Sequence, residues 1–252
     1  MFSEPGIDLK IEYGIITNIV AEGAETLGID LPPGACALFE SYYDLLGQRG
    51  GNVNLTAITD AADVARLHFL DSIALVKALD FRNARVLDVG SGAGFPGVAV
   101  KITEPSIDLT LLDSAGKRIA FLSELCTVLG IEASYVHARA EDAARRADMR
   151  GQFDITVSRA VARLDVLCEL CLPFLRIGGS FIAMKGPDSQ DELSDALYAI
   201  ETLGASQREC FDYMIPGTEI THKAVIIGKV SETPEQYPRR FARIQKKPLR
   251  PE

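Results

Sequence analysis

The sequence predicts an α/β fold with a mostly parallel sheet, and three observations predict it. First, Val86-Leu87-Asp88-Val89 is an apolar run that enters a glycine-rich loop, Gly90-Ser91-Gly92-Ala93-Gly94, followed by Phe95-Pro96-Gly97 and an apolar stretch. Buried strand, tight turn and helix start, in that order, open a nucleotide-binding α/β unit. Second, short apolar runs alternate with helical patterns from Asn83 to Leu203, the rhythm of parallel strands joined by crossovers. Third, the last two apolar runs, Phe211–Ile215 and Ala224–Val230, are joined only by a short connection holding Pro216-Gly217. Without an intervening helix that pair is expected to be antiparallel. Seven strands result, five parallel and a terminal hairpin.

The elements follow in order. Residues 1–30 carry little pattern beyond a helix from about Thr17 to Leu27. Pro32-Pro33 starts a second helix, in which Leu38, Tyr42, Leu45, Leu46 and Arg49 recur at helical spacing, and Gly50-Gly51 is expected to end it. Asn52 to Thr56 reads as a loop. Thr59 or Asp60 caps a helix predicted over Ala61 to Leu79, with Val64, Leu67, Asp71, Leu75 and Ala78 near one stripe. The alternation then begins. Val86–Val89 precedes a helix near Val98–Ile102, with Pro96 suited to its first turn. Leu109–Leu112 ends in Asp113, and Lys117–Leu129 is a helix stopped by Gly130. Ala133–Val136 and Asp154–Val157 are strands. Leu164–Leu175 is a helix interrupted around Pro173, Gly178-Gly179 turns into the strand Ser180–Met184, and Leu193–Leu203 is the last helix before the hairpin.

Composition bounds the class. With 47% hydrophobic and 24% charged residues, the chain can build an ample core and reads as an ordinary globular protein. No apolar run reaches the ~18 residues of a membrane span. Met1 to Lys10 lacks a basic segment ahead of an apolar one, so a signal peptide is not expected and the cytoplasm is. Five scattered cysteines argue against a disulfide framework, and Cys168-x-x-Cys171, with no second pair, reads as core packing on a helix. Net charge is −9, yet residues 237–252 carry six Lys/Arg against one Glu. A basic end on an acidic body points to one localised polyanion contact, or to a merely solvated tail.

The glycine loop reads in two registers. Gly92-x-Gly94-x-x-Gly97 matches the dinucleotide fingerprint; Asp88-Val89-Gly90-x-Gly92-x-Gly94 matches the acid-apolar-G-x-G-x-G pattern of S-adenosylmethionine (SAM) methyltransferases. The hairpin favours the second, because a dinucleotide Rossmann domain usually has six parallel strands. Gly97 then becomes a close-packing residue at the helix start. Ligands in such sheets bind at the carboxyl ends of the strands. Those ends offer Gly90 to Gly94, then Asp113 at the spacing of an acid that holds ribose hydroxyls, then Ala140-Glu141, Ser158-Arg159-Ala160 and Lys185-Gly186.

Other chemistries lack their residues. The fourth strand does not end in the Asn/Asp-Pro-Pro-aromatic signature of exocyclic-amine methylation. No cysteine stands at the fourth or fifth strand end for a covalent pyrimidine mechanism. Gly90-Ser91-Gly92 is not a nucleophile elbow. His68, His137 and His222 do not fall at metal-ligand spacing, so no metal is expected. His68-x-x-Asp71-Ser72 holds a triad's residue types, but consecutive helical placement gives no relay geometry.

A set of motifs now occurs in order: Asn52-x-Asn54-Leu55-Thr56, His68-x-x-Asp71-Ser72, Asp88 to Gly97, Leu111-Leu112-Asp113-Ser114-x-x-Lys117-Arg118, Ser158-Arg159-Ala160 and Lys185-Gly186. Together they resemble the bacterial glucose-inhibited division protein B family (GidB, also RsmG), 16S rRNA guanine-N7 methyltransferases. The basic ending, Pro238-Arg239-Arg240 and Lys246-Lys247-Pro248-Leu249, is similar too. The resemblance implies a class I SAM-dependent methyltransferase (Rossmann-like) fold, with SAM as donor and a guanine in the decoding-region loop of 16S rRNA as acceptor. It places cofactor contacts at Gly90, Phe95, Ala140, Glu141 and Arg159, to which the strand-end reading adds Gly92 and Asp113. Candidates to line the guanine pocket are His68, Asp71, Arg163 and Lys185, with Arg159 beside them. Arg239, Arg240, Arg243, Lys246 and Lys247 are candidates to hold RNA phosphates. The expected partner is 16S rRNA, within the small subunit or an assembly intermediate, with no membrane and no obligate protein partner. The expected organisation is a helical extension or cap over 1–80, a SAM-binding methyltransferase domain over 81–231 and a basic tail over 232–252. An NAD-dependent oxidoreductase, a SAM-binding RNA-interaction or assembly protein without catalysis, and a small-molecule methyltransferase remain as alternatives.

Overall fold

The computed structural model describes residues 14–53, 55–159, 162–186 and 190–251. Expectations for the first ten residues, for Asn54 and for Ala160 fall outside them. The sheet has seven strands: β1 (Arg85–Val89), β2 (Asp108–Asp113), β3 (Ser134–His137), β4 (Phe153–Arg159), β5 (Leu175–Lys185), β6 (Ala205–Met214) and β7 (Thr221–Lys229). Their order is β3-β2-β1-β4-β5-β7-β6. The first five pair in parallel, while β7 runs antiparallel to both β5 and β6. Chain order reverses between β1 and β4, so a crevice opens beyond their carboxyl ends.

Strand alternation sorts the core into two faces. Val86, Leu111, Val157 and Ile182 belong to one cluster; Leu87, Leu112, Phe181 and Ala183 belong to the other. The first face is covered by α1 (Ile15–Thr26) and α2 (Ala35–Val53), by a helical run from Ala61 to Ala78, and by α6 (Gly97–Thr103) and α7 (Gly116–Leu129). That run comprises α3 (Ala61–Val64), a π-helical segment (Ala65–Leu70), α4 (Asp71–Ile73) and α5 (Leu75–Ala78). The second face is covered by α8 (Ala140–Ala143), α9 (Leu164–Cys171) with a 3-10 turn (Leu172–Phe174), α10 (Gln190–Thr202) and α11 (Phe241–Lys246). Cys168 and Cys171 are both buried in this second cluster. Among the described residues, no helix is long and apolar enough to cross a membrane.

Several boundaries differ from expectation for physical reasons. Helix α2 continues through Gly50-Gly51 to Val53. The burial of Phe39, Tyr42, Leu45 and Leu46 outweighs about 1 kcal/mol per helical glycine. The predicted helix over Ala61 to Leu79 is capped by Asp60, whose Oδ1 accepts the Asp63 amide at 3.0 Å, but it widens into a π segment at Ala65–Leu70. Such insertions re-aim side chains and recur at functional sites. Pro96 occupies the cap position before α6 rather than its first turn. Strand β5 begins at Leu175, so Gly178-Gly179 lies inside it. Pairing with β4 shifts register between Phe153 and Ile155, and a Cβ on Gly179 would come within 2.7 Å of the Asp154 carbonyl. These glycines make a bulge, not a turn. Strand β6 starts early, at Ala205, because its exposed Ser206 to Glu209 carries the polar pattern of an edge strand.

The C-terminal segment is not a free tail. The Arg150 guanidinium donates to the Thr233 and Tyr237 carbonyls at 2.7 and 2.9 Å. Arg145 donates to the carbonyls of Gln236 and Pro238 at 3.1 and 2.5 Å. Ile244 of α11 is fully buried. The segment runs as a strap back across the α/β domain.

Candidate cofactor site

A cavity of about 460 Å³ opens beyond the carboxyl ends of β3, β2, β1 and β4, within the range of small-molecule sites. Its central wall is the loop after β1. Gly90 and Gly92 line it with φ of +77° and +57°, a conformation that glycine adopts without strain. The Gly92 amide donates to Asp113 Oδ2 at 3.0 Å, and the Ala115 amide donates to Asp113 Oδ1 at 2.8 Å. With Arg118 Nη1 donating to Oδ2 at 3.5 Å, these bonds hold the carboxylate at the β2 end and leave one lone pair to spare.

Two buried groups brace the loop from behind. The Tyr42 hydroxyl of α2 donates to the Ala93 carbonyl at 2.6 Å. A Cβ on Gly94, where φ is +100°, would stand 2.4 Å from that hydroxyl. Asp88 Oδ2 accepts the Gly97 amide at 2.8 Å, and a Cβ on Gly97 would meet the same oxygen at 2.7 Å. Gly97 is thus a close-packing position. Asp88 is fully buried and its Oδ1 has no hydrogen-bond partner among the described residues. Burial pushes its carboxyl up to about 7 against the pull of the Gly97 amide.

The wall at the β4 end is cationic and aromatic. The Arg159 guanidinium lies 4.9 Å from the Phe95 ring centroid, within cation–π range. Its Nη1 donates to the Leu67 carbonyl at 3.2 Å and to Asp71 Oδ2 at 3.3 Å. His68, from the π segment, stacks on Phe95 at 4.7 Å. Its Nδ1 faces the Leu67 carbonyl at 3.1 Å and its Nε2 faces the Thr56 hydroxyl at 2.7 Å. A proton on Nδ1 suits the Leu67 and Thr56 contacts, with Thr56 donating to Nε2, whereas an unprotonated Nδ1 accepts from Arg159 Nη2, 3.4 Å away. Burial, then the Arg159 charge, lowers the His68 pKa to about 4, so this imidazole is neutral at pH 7. Behind Arg159, Asp71 Oδ1 accepts the Tyr213 hydroxyl at 2.8 Å and His222 Nδ1–H at 2.7 Å. The bond to Asp71 raises the His222 pKa.

At the β3 end, Ala140 and Glu141 line the cavity together with Phe241 of α11. Glu141 is nearly buried, and its Oε1 accepts the Phe241 amide at 3.3 Å.

The structure brings Gly90, Gly92, Phe95, Asp113, Ala140, Glu141, Arg159 and His68 to this one cavity. The structure does not bring the other three pocket candidates to this cavity. Asp71 is 2% exposed and backs Arg159 rather than lining the cavity. Arg163 turns away to Asp195, at 2.7 Å. Lys185 donates to the Ala162 carbonyl and pairs with Glu192, both at 2.8 Å. Of the basic ending, Arg239 faces inward, where it forms a two-pronged pair with fully buried Glu169, closest at 2.6 Å. Arg240, Arg243, Lys246 and Lys247 are exposed. Sequence reasoning missed Tyr213, His222 and Phe241. The antiparallel hairpin held a signal for the first two, since the end of β6 and the start of β7 must lie at the ligand edge of the sheet.

The family model described as rRNA small subunit methyltransferase G matches residues 35–214. The chain belongs to that family. A ribosomal RNA small subunit methyltransferase G from Alkaliphilus oremlandii is 44% identical over 238 residues, covering 93% of this chain and 99% of the relative. Its namesake from Pelotomaculum thermopropionicum is 43% identical over 237 residues, covering 93% and 99%. Among solved structures, a methyltransferase from Pyrococcus furiosus superposes with a TM-score of 0.52 at 13% identity, over 76% of this chain and 98% of that one. A branched-chain polyamine synthase from Thermus thermophilus gives 0.55 at 15% identity, over 81% and 65%. At such identities the likeness speaks for the fold, the class I SAM-dependent methyltransferase fold, and no further.

SAM is the cofactor of this family, and the residues fit it. A carboxylate with one lone pair to spare stands at the β2 end for a ribose hydroxyl. A guanidinium stands at the β4 end for an α-carboxylate. Between them, at Gly92, a Cβ would meet nothing nearer than the Gly90 carbonyl at 3.8 Å, so backbone forms that part of the wall.

Proposed function

We propose that the chain methylates N7 of a guanine in the decoding-region loop of 16S rRNA, acting in the cytoplasm on the small subunit or an assembly intermediate. The observation that carries this reading is the cavity itself. Acidic Asp113 and Glu141 lie toward one end, and the Arg159–Phe95–His68 stack lies at the other.

SAM supplies an activated methyl group. Guanine N7 carries a free lone pair, so no base has to remove a proton before attack. His68 suits that chemistry: it is neutral, its ring nitrogens are occupied within the protein, and it borders the cavity as a flat polar surface. Gly90, Gly92, Asp113, Ala140 and Glu141 hold the donor, and Arg159 and Phe95 orient its charged end. Positioning of this kind contributes up to roughly 7–11 kcal/mol of a barrier. The guanine has to be unstacked to enter. Exposed Arg240, Arg243, Lys246 and Lys247 give phosphates a basic face, which makes binding salt-dependent. In this reading the described residues before 81 cap the methyltransferase domain over 81–231.

The test incubates labelled SAM with unmethylated small subunits and with stripped rRNA, then maps N7-methylguanine. Label at one guanine of the decoding-region loop is expected. Label elsewhere, or on neither substrate, overturns the reading.

A further inference from the structure

We propose that Phe241, on the C-terminal strap, is a cofactor-binding residue that closes the adenine end of the SAM site. The inference rests on the reading that this cavity takes SAM and goes beyond it.

Sheet order supplies the direction. The strand ends bordering the cavity run β3, β2, β1, β4. They present Ala140-Glu141, then Asp113, then the glycine loop, then Arg159. With the ribose at Asp113 and the α-carboxylate at Arg159, the base of an extended ligand falls at the β3 end. That end is finished by a residue 100 positions further along the chain, Phe241.

The contact is built, not incidental. The Phe241 amide anchors Glu141, the carboxylate of the same wall. Arg145 and Arg150, just beyond α8, grip the strap through six backbone carbonyls, those of residues 233 to 238. On the far side, Arg239 is fastened to buried Glu169. A segment held on both sides places Phe241 on the cavity wall next to Glu141, its side chain partly buried against the core. A planar base with an exocyclic amine matches that pair: the ring stacks on its face and the carboxylate accepts from its amine. Exposed Arg240 and Arg243 flank the same residue, so the basic face and the cofactor wall share one piece of chain.

The experiment titrates full-length protein with SAM and with 5′-methylthioadenosine by calorimetry. Phe241→Ala is expected to weaken both about tenfold or more, as loss of base–aromatic stacking does, while Phe241→Tyr retains both affinities. Hydrogen exchange of residues 231–246 in the wild-type chain gives a readout free of any folding defect. SAM is expected to slow exchange there. Equal affinities in wild type and Phe241→Ala, or exchange unchanged by SAM, would overturn the proposal. A wild-type chain that binds no SAM would instead overturn the reading beneath it.

Discussion

Gly90 to Ala93 form one wall of the cavity from consecutive residues, whereas the wall at the β4 end and the cluster behind it are gathered from across the chain. Arg159 comes from β4, His68 and Asp71 from the helical run before β1, and Tyr213 and His222 from the hairpin. The first wall is held by backbone conformation and close approach. The second is held by charges that satisfy one another. The two should fail differently: the loop through sterics, the cluster through an orphaned buried ion.

The largest effect is expected in the cluster. Asp71→Ala removes the acceptor of Arg159, His222 and Tyr213 together. Stability should fall by about 3 kcal/mol, the cost of breaking a buried pair, read as a lower urea midpoint. A loss under about 1 kcal/mol would mean that the cluster behaves as a surface pair.

The loop's counterpart is Gly94→Ala. A Cβ there meets the Tyr42 hydroxyl at 2.4 Å on a backbone with φ of +100°. The expected cost is about 2 kcal/mol. Adding Tyr42→Phe should recover part of it, and strictly additive effects in that double-mutant cycle would locate the strain elsewhere.

Gly92→Ala separates binding from folding within the same loop. Its φ of +57° costs about 1 kcal/mol for alanine, but a Cβ there meets only the Gly90 carbonyl, at an ordinary contact distance of 3.8 Å. SAM affinity measured by calorimetry should fall more than stability does. Unchanged affinity would remove Gly92 from the binding wall.

The smallest effect is a pH slope. His222 has a raised pKa, caused first by its bond to Asp71. Its contribution is complete below the unfolded value of about 6.5 and is lost as pH rises through the folded one. His68, lowered to about 4 chiefly by burial, works in the opposite direction: its contribution is lost as pH falls from about 6.5 toward 4. Wild type should therefore lose stability on going from pH 6.5 to 8.5, with buried Asp88, pushed up to about 7, adding to the lower part of that descent, and His222→Gln should flatten the part that remains. Melting curves across that range check it; an unchanged slope would place the titration on another group.

The sequence by itself determined the strand–loop–helix unit, the parallel order and the antiparallel hairpin. Each depends on short-range chemistry: glycine conformations, apolar periods and the absence of a crossover between the last two strands. It also determined which residues stand at strand ends, so Gly90, Asp113 and Arg159 were legible as cavity residues. Only the tertiary structure decided where charged side chains turn. Arg163 and Lys185 follow strands whose ends point to the site, yet acids of α10 draw them away. Arg239 reads as one more cation in a basic ending, yet buried Glu169 claims it. Asp71 meets Tyr213 and His222 across 142 and 151 residues. A buried charge takes its partner from whatever segment folding delivers, and no spacing within the chain encodes that choice.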